Sequence, residues 1–204
     1  MIGVIDYGAG NLQSVFKALK FIGCECKIVN CKEELFKCSG AILPGVGSFK
    51  DAMDCMEISG MVDAVRDFAN GGNPFLGICL GLQLLFPESE ESPGAKGLSI
   101  LSGNIKRIPN NGGTLKIPHM GWNSINIKKH DGIFRDIPDE SYVYFVHSYY
   151  LTASDRCIVA ATTNYGTQID AAIEKGNIIA TQFHPEKSGA VGLKMLENFV
   201  SMTN

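Results

Sequence analysis

No stretch of this sequence approaches the roughly 20 consecutive apolar residues that span a bilayer, so no transmembrane helix is expected. The first residues, MIGVIDYG, carry no basic group ahead of the apolar ones and lack the shape of a signal peptide. Neither sign of charge dominates. Lys and Arg number 18 and Asp and Glu 21, for a net charge of −3. That excludes the basic footprint of a nucleic-acid or anionic-membrane binder. There is no internal repeat, no low-complexity tract and no linker, so one domain over residues 1–204 is expected. The seven cysteines are odd in number and irregular in spacing, which points to reduced thiols in a cytoplasm. Cys24, Cys26, Cys31 and Cys38 run C-x-C-x4-C-x6-C, which matches no zinc pattern, and no metal is expected.

What is present is alternation. Short β-branched runs at Ile2–Asp6, Lys27–Asn30, Ala41–Leu43 and Phe75–Ile78 read as strands. Between and after them, 11–22, 61–70 and 80–86 carry apolar residues at helical spacing, such as Leu12, Val15, Phe16 and Leu19. Residues 88–113 are rich in turn formers, with one strand at 104–108. Further strands are expected at 122–127, 142–147, 157–163, 169–174 and 177–183, and a last helix from about 189 to 202. This pattern predicts an α/β three-layer sandwich, with helices on both faces of a mixed, mainly parallel sheet.

One stretch carries chemistry. PFLGICLGLQLLF places Cys79 between Gly77 and Gly81, where a strand gives way to a helix. A cysteine that only fills space needs no such setting. G-x-C-x-G is the thiol counterpart of the G-x-S-x-G elbow, in which a sharp turn lifts a nucleophile above the sheet. The new helix points free N–H groups at the sulfur, which favours the reactive thiolate. The N–H of Leu80 is placed to donate to an oxyanion.

A thiol nucleophile needs a base. His184 follows the apolar run NIIATQF and precedes Pro185, which forces extended geometry on it. Residues two apart in an extended chain share a side, so Glu186 can orient the His184 ring. The spacing predicts Cys79 as nucleophile, His184 as base and then acid, and Glu186 as orienter. His147, in YFVHSYY, is the rival base and reads better as a pocket wall. His130 lies in a polar turn and reads as a surface residue. The glycine loop in ILPGVGSF can supply a second oxyanion donor from Val46 or Gly47. DYGAGNLQSV has Gln13 where a dinucleotide fingerprint needs glycine, so no nucleotide cofactor is expected.

Together, LGICLGLQLLF, ILPGVGSF, IPHMGWNSI, VYFVHSYY and TQFHPEKS resemble the triad (class I) glutamine amidotransferases over essentially the whole chain. Within that class the resemblance is greatest to the glutaminase subunits of imidazole glycerol phosphate synthase. It implies a flavodoxin-like core, and hydrolysis of L-glutamine through a Cys79 thioester without metal or organic cofactor. It also implies an oxyanion site between Leu80 and the Val46–Gly47 loop. Glutamine would be held by Gly47, Gln83, Ser148 and Tyr149.

Ammonia in neutral water is largely ammonium, which is no nucleophile, so a protein making it for synthesis must hand it on dry. A chain of this length has little room for a second active site. The resemblance implies a separate acceptor, the (βα)8-barrel cyclase subunit HisF, which makes imidazole glycerol phosphate and an aminoimidazole carboxamide ribonucleotide in histidine biosynthesis. Asn11, His119, Met120, Trp122, Asn123, Tyr144 and Lys187 match positions at or near the docking face. It further implies low glutaminase activity until the partner binds its ligand. Three alternatives stay open on these residues: an amidotransferase subunit serving surface-sugar amination, a catalytically silent binding subunit, and a cysteine hydrolase acting on another amide.

Overall fold

Residues 1–203 are described by the structure, a computed structural model. The first half alternates as its periodicity requires. β1 (Ile2–Ile5) is followed by α1 (Leu12–Phe21), which buries Val15, Ala18 and Leu19 along one stripe. β2 (Cys26–Val29), the single turn α2 (Lys32–Leu35) and β3 (Gly40–Gly45) come next. α3 (Phe49–Ile58) starts at Ser48, whose side chain caps the Asp51 N–H. Then come α4 (Met61–Asn70), β4 (Phe75–Cys79) and the four-residue α5 (Leu80–Gln83). The second half is mainly β: β5 (Gly103–Arg107), β6 (His119–Ser124), β7 (Asn126–Ile127), β8 (Tyr142–His147), β9 (Tyr149–Ala153), β10 (Val159–Asn164), β11 (Gln168–Lys175) and β12 (Ile178–Thr181). α6 (Gly189–Ser201) closes the described chain.

Eight strands form one sheet in the order β2-β1-β3-β4-β12-β11-β10-β7. Pairings from β2 across to β12 are parallel, and those from β12 to β7 are antiparallel. The parallel part has the doubly wound order 2-1-3-4, which places sites at the carboxyl ends of the strands. Strands β1, β3 and β4 within it carry no charged residue and are buried along their whole length because both faces are covered. Along β3, Ala41 and Leu43 join one buried cluster with Val65 and Phe68 of α4, while Ile42 joins the other with Val15 of α1 and Phe199 of α6. Two ribbons, β5–β9 and β6–β8, flank the sheet.

The expected elements differ from the structure in five places, one of them the single turn α2, which was not expected. The helix expected over 80–86 spans one turn, and the chain then turns through Leu84–Phe86. The strand expected over 122–127 is two strands in different sheets, β6 and β7, with the Ile125 N–H between them bonded to the Ser141 carbonyl. α3 was not expected, although Phe49, Ala52, Met53 and Met56 are buried at helical spacing. β9 was not expected either, being part of a polar-aromatic run continuous with β8.

Candidate active site

β4 ends at Cys79, in register with Gly45 of β3, while Thr181 of β12 pairs with Ile78. Cys79 has φ 56° and ψ −107°. A residue with a Cβ held there stores about 1–3 kcal/mol of backbone strain. The flanking glycines make this possible by removing atoms from a backbone-on-backbone contact. A Cβ on Gly77 would sit 2.8 Å from the Gly81 oxygen, one on Gly81 2.0 Å from the Leu43 oxygen, and one on Gly45 2.7 Å from the Gly81 nitrogen. Because α5 is a single turn, it offers the sulfur free N–H groups, beginning with that of Leu80, more than a summed dipole.

His184 leaves the neighbouring strand β12, which brings together residues 105 positions apart in sequence through one parallel strand pairing. Its Nδ1 is 2.8 Å from Glu186 Oε1, with the two side chains 2% and 1% exposed. A carboxylate only accepts, so Nδ1 carries the proton. Nε2 is buried and has no hydrogen-bond partner among the described residues. Burial alone would lower the imidazole's pKa, but the neighbouring Cys79 and the hydrogen-bonded Glu186 outweigh it and raise the value to about 9. The His184 backbone is pinned: its N–H donates to the Tyr144 carbonyl at 3.0 Å, and Ser188 Oγ donates to the His184 carbonyl at 2.6 Å. The sulfur itself faces the Val146 carbonyl at 3.9 Å and the Gln182 amide nitrogen at 3.7 Å.

A cavity of about 350 Å³ opens over the sulfur. Cys79, His184, Leu80 and the Val46–Gly47 loop line it together with Gln83, Ser148, Tyr149 and Glu91. Gly47 has φ +96° and nothing within 4 Å of where its Cβ would be, so this loop is conformationally open. Glu91, Gln182 and Ser188 were not expected from sequence. Glu91 lies in the turn-rich stretch after α5 and is fixed by accepting the Phe49 N–H at 2.8 Å. It gives the cavity a carboxylate suited to an ammonium group.

The rival base is tied up. His147 Nδ1 is 2.9 Å from the Tyr149 carbonyl and must donate to it. Its Nε2 is 2.9 Å from His119 Nδ1 and must accept. His119 is stacked against Phe145 and Tyr165 at centroid distances of 4.6 and 4.0 Å. Burial lowers the pKa of His147 to about 3 and that of His119 to about 4. Neither ring is free to take a proton from the sulfur. His130 is exposed, and no group of three or more candidate metal ligands occurs among the described residues.

The family described as glutamine amidotransferase class-I matches residues 3–202. The imidazole glycerol phosphate synthase subunit HisH of Geobacillus kaustophilus is 47% identical over 205 residues, covering 99% of this chain and 97% of its own length. The HisH subunit of Methanosarcina barkeri is 49% identical over 205 residues, covering 98% of each chain. This chain belongs to the HisH family of class I glutamine amidotransferases. A solved glutamine amidotransferase shares the fold of this HisH-family chain, with a TM-score of 0.76, 22% identity, and 99% and 98% of the two chains covered. So does a chain of PurLQS from Thermotoga maritima, at 0.74 and 20% identity over 98% and 97%.

The other residues singled out in this HisH-family sequence lie around the same end of the sheet. Met120 and Trp122 of β6 are 62% and 54% exposed, and Trp122 meets Tyr144 of β8 edge-on at 6.1 Å. Lys187 extends over the Tyr144 ring. Asn123 donates to the Asn164 carbonyl at 3.0 Å. Asn11, half-buried, sits just before α1. His119 is 3% exposed and lies beneath this face, because the alternation of β6 turns its ring inward where Met120 turns out.

Proposed function

We propose that this chain, a glutamine amidotransferase of the HisH family, hydrolyses L-glutamine with Cys79, His184 and Glu186 and passes ammonia to a cyclase subunit. The observation that carries the reading is the His184–Glu186 pair at 2.8 Å, its other imidazole nitrogen unpartnered beside the Cys79 elbow. His184, whose pKa is raised to about 9, takes the proton of the Cys79 thiol at Nε2, giving thiolate and imidazolium. The sulfur attacks the side-chain amide carbon, and its electron pair forms the C–S bond. The oxyanion is met by the Leu80 N–H and by the Val46–Gly47 loop. The C–N bond breaks as His184 Nε2–H gives its proton to the nitrogen, which leaves as ammonia. Neutral His184 then takes a proton from water, whose oxygen attacks the thioester. Glutamate leaves, and thiolate and imidazolium are restored.

Glutamine lies along the cavity with its amino-acid end toward Ser148, Tyr149 and the Glu91 carboxylate. Both hydrogens of the Gln83 amide nitrogen are committed, to the Tyr149 carbonyl and to Gln182 Oε1. Gln83 therefore presents an acceptor oxygen to the ligand. Residues 1–204 form one amidotransferase domain, working in the cytoplasm. The acceptor is the (βα)8-barrel cyclase HisF, docked as a heterodimer on Asn11, Met120, Trp122, Asn123, Tyr144 and Lys187, with His119 supporting that face from beneath. The cyclase uses the ammonia to form imidazole glycerol phosphate and the aminoimidazole carboxamide ribonucleotide. Cys79→Ala is expected to abolish glutamate release by the assembled complex while leaving the fold and the docking intact. Equal glutamate release from both proteins would remove Cys79 from the chemistry.

A further inference from the structure

Gln182 is fully buried at the end of an apolar run, and the triad chemistry makes no use of it. Hydrogen counting fixes how its amide is turned. Gln83 Nε2 is 3.1 Å from the Tyr149 carbonyl oxygen, which can only accept, so that atom of Gln83 is the NH2 group. The same nitrogen is 3.1 Å from Gln182 Oε1, so its second hydrogen goes there and the Gln182 atom is an oxygen. The Gln182 amide nitrogen must then face the other way, and it lies 3.7 Å from Cys79 Sγ. Donors thus run in one direction, and the last of them points at sulfur.

The two polar neighbours of the sulfur favour opposite protonation states. The Val146 carbonyl at 3.9 Å can only accept, so its contact requires an S–H. The Gln182 N–H can donate to a sulfur lone pair, and that bond strengthens when the sulfur is an anion. We infer that Gln182 is a further catalytic residue: its amide N–H, held in orientation by Gln83, stabilises the Cys79 thiolate before glutamine is attacked. The inference rests on the reading of Cys79 as the nucleophile. It gives Gln83 a second task, since the side chain proposed to contact glutamine also sets the direction of the donor on the nucleophile.

Alkylation of Cys79 by iodoacetamide, followed by mass spectrometry from acid to alkaline pH, tests it in the full-length chain. The exposed Cys157 serves as internal reference. Gln182→Glu keeps the shape and the acceptor for Gln83 but replaces the donor at sulfur with an acceptor. Gln182→Met keeps the length and removes both. In each variant the midpoint of the Cys79 profile is expected to move up by about one pH unit, and the neutral-pH rate to fall about tenfold. The Cys157 profile should not move, and a purely structural role for Gln182 would leave the Cys79 midpoint unmoved as well. Gln182→Leu carries the test if Gln182→Met does not fold, because the carboxylate of Gln182→Glu would raise the Cys79 midpoint by its charge alone. An unchanged Cys79 midpoint in a folded variant overturns the role of Gln182 and leaves the nucleophile in place. A wild-type Cys79 no more reactive than Cys157 overturns both.

Discussion

His184 stands between two partners that want it charged and a buried setting that does not. The partners win, and its pKa rises to about 9. In the proposed mechanism the imidazolium is the acid that releases ammonia, so glutamate release should fall as pH rises through that value. Glu186→Gln removes the carboxylate that holds the Nδ1–H at 2.8 Å. We expect kcat/KM for glutamine to drop roughly a hundredfold or more, as when a triad orienter is lost. The falling alkaline limb should also move to lower pH. Initial rates of glutamate release across pH check both. A variant that kept the wild-type limb would show that Glu186 does not set the state of His184. Cys79 and the His184–Glu186 pair were legible at this scale because turn glycines and a proline leave marks on neighbouring residues. Glu91 and Gln182 were not, because a glutamate in a polar loop and a glutamine ending a strand look alike whether or not they face a cavity.

The elbow joins β3, β4 and α5, and it depends on absent side chains. Gly81→Ala would put a methyl group 2.0 Å from the Leu43 carbonyl, and neither backbone can move without breaking the β3–β4 ladder. Urea unfolding should show a loss of at least about 3 kcal/mol, beyond ordinary overpacking. Gly47→Ala meets no atom within 4 Å and suffers only from its φ of +96°. It should cost about 1 kcal/mol of stability while impairing glutamate release, because it restricts the loop proposed to meet the oxyanion. If Gly81→Ala proved as mild as Gly47→Ala, the close packing of the elbow would be wrong. Helices α1 and α4 and strand β8 were readable from periodicity almost to the residue. α5 ran short because the apolar run 80–86 is buried on all sides, where helix and turn leave the same pattern.

Across the whole molecule, three buried histidines divide the pH range. His119 and His147 have depressed values of about 4 and about 3. Below the unfolded value near 6.5 the unfolded chain takes protons that the folded chain refuses, so stability falls on acidification. It falls by up to about 1.4 kcal/mol per pH unit for each group. His184 acts in the opposite direction. Its raised value means the folded chain keeps a proton that the unfolded chain loses between pH 6.5 and about 9, so its contribution is complete below 6.5 and declines above it. The histidine contribution should therefore peak near pH 6.5, and urea titrations across pH would reveal a maximum elsewhere. At the proposed docking face, Trp122→Ala should weaken cyclase binding about tenfold to a hundredfold, as expected for an exposed aromatic anchor. Affinity by calorimetry, with circular dichroism as the control for folding, measures this. Unchanged affinity would move the interface elsewhere.

By itself, the sequence determined the alternating α/β architecture, the thiol at a sharp strand-to-helix turn and the histidine–carboxylate pair, because each rests on patterns among residues close in the chain. Only the tertiary structure decided that β12 lies beside β4, which brings His184 to Cys79, and that His147 and His119 lock each other out of proton transfer. It alone turned the Gln182 amide toward the sulfur. Those outcomes depend on strand order, burial and hydrogen-bond counting among residues far apart in sequence, and no local pattern of residues encodes them.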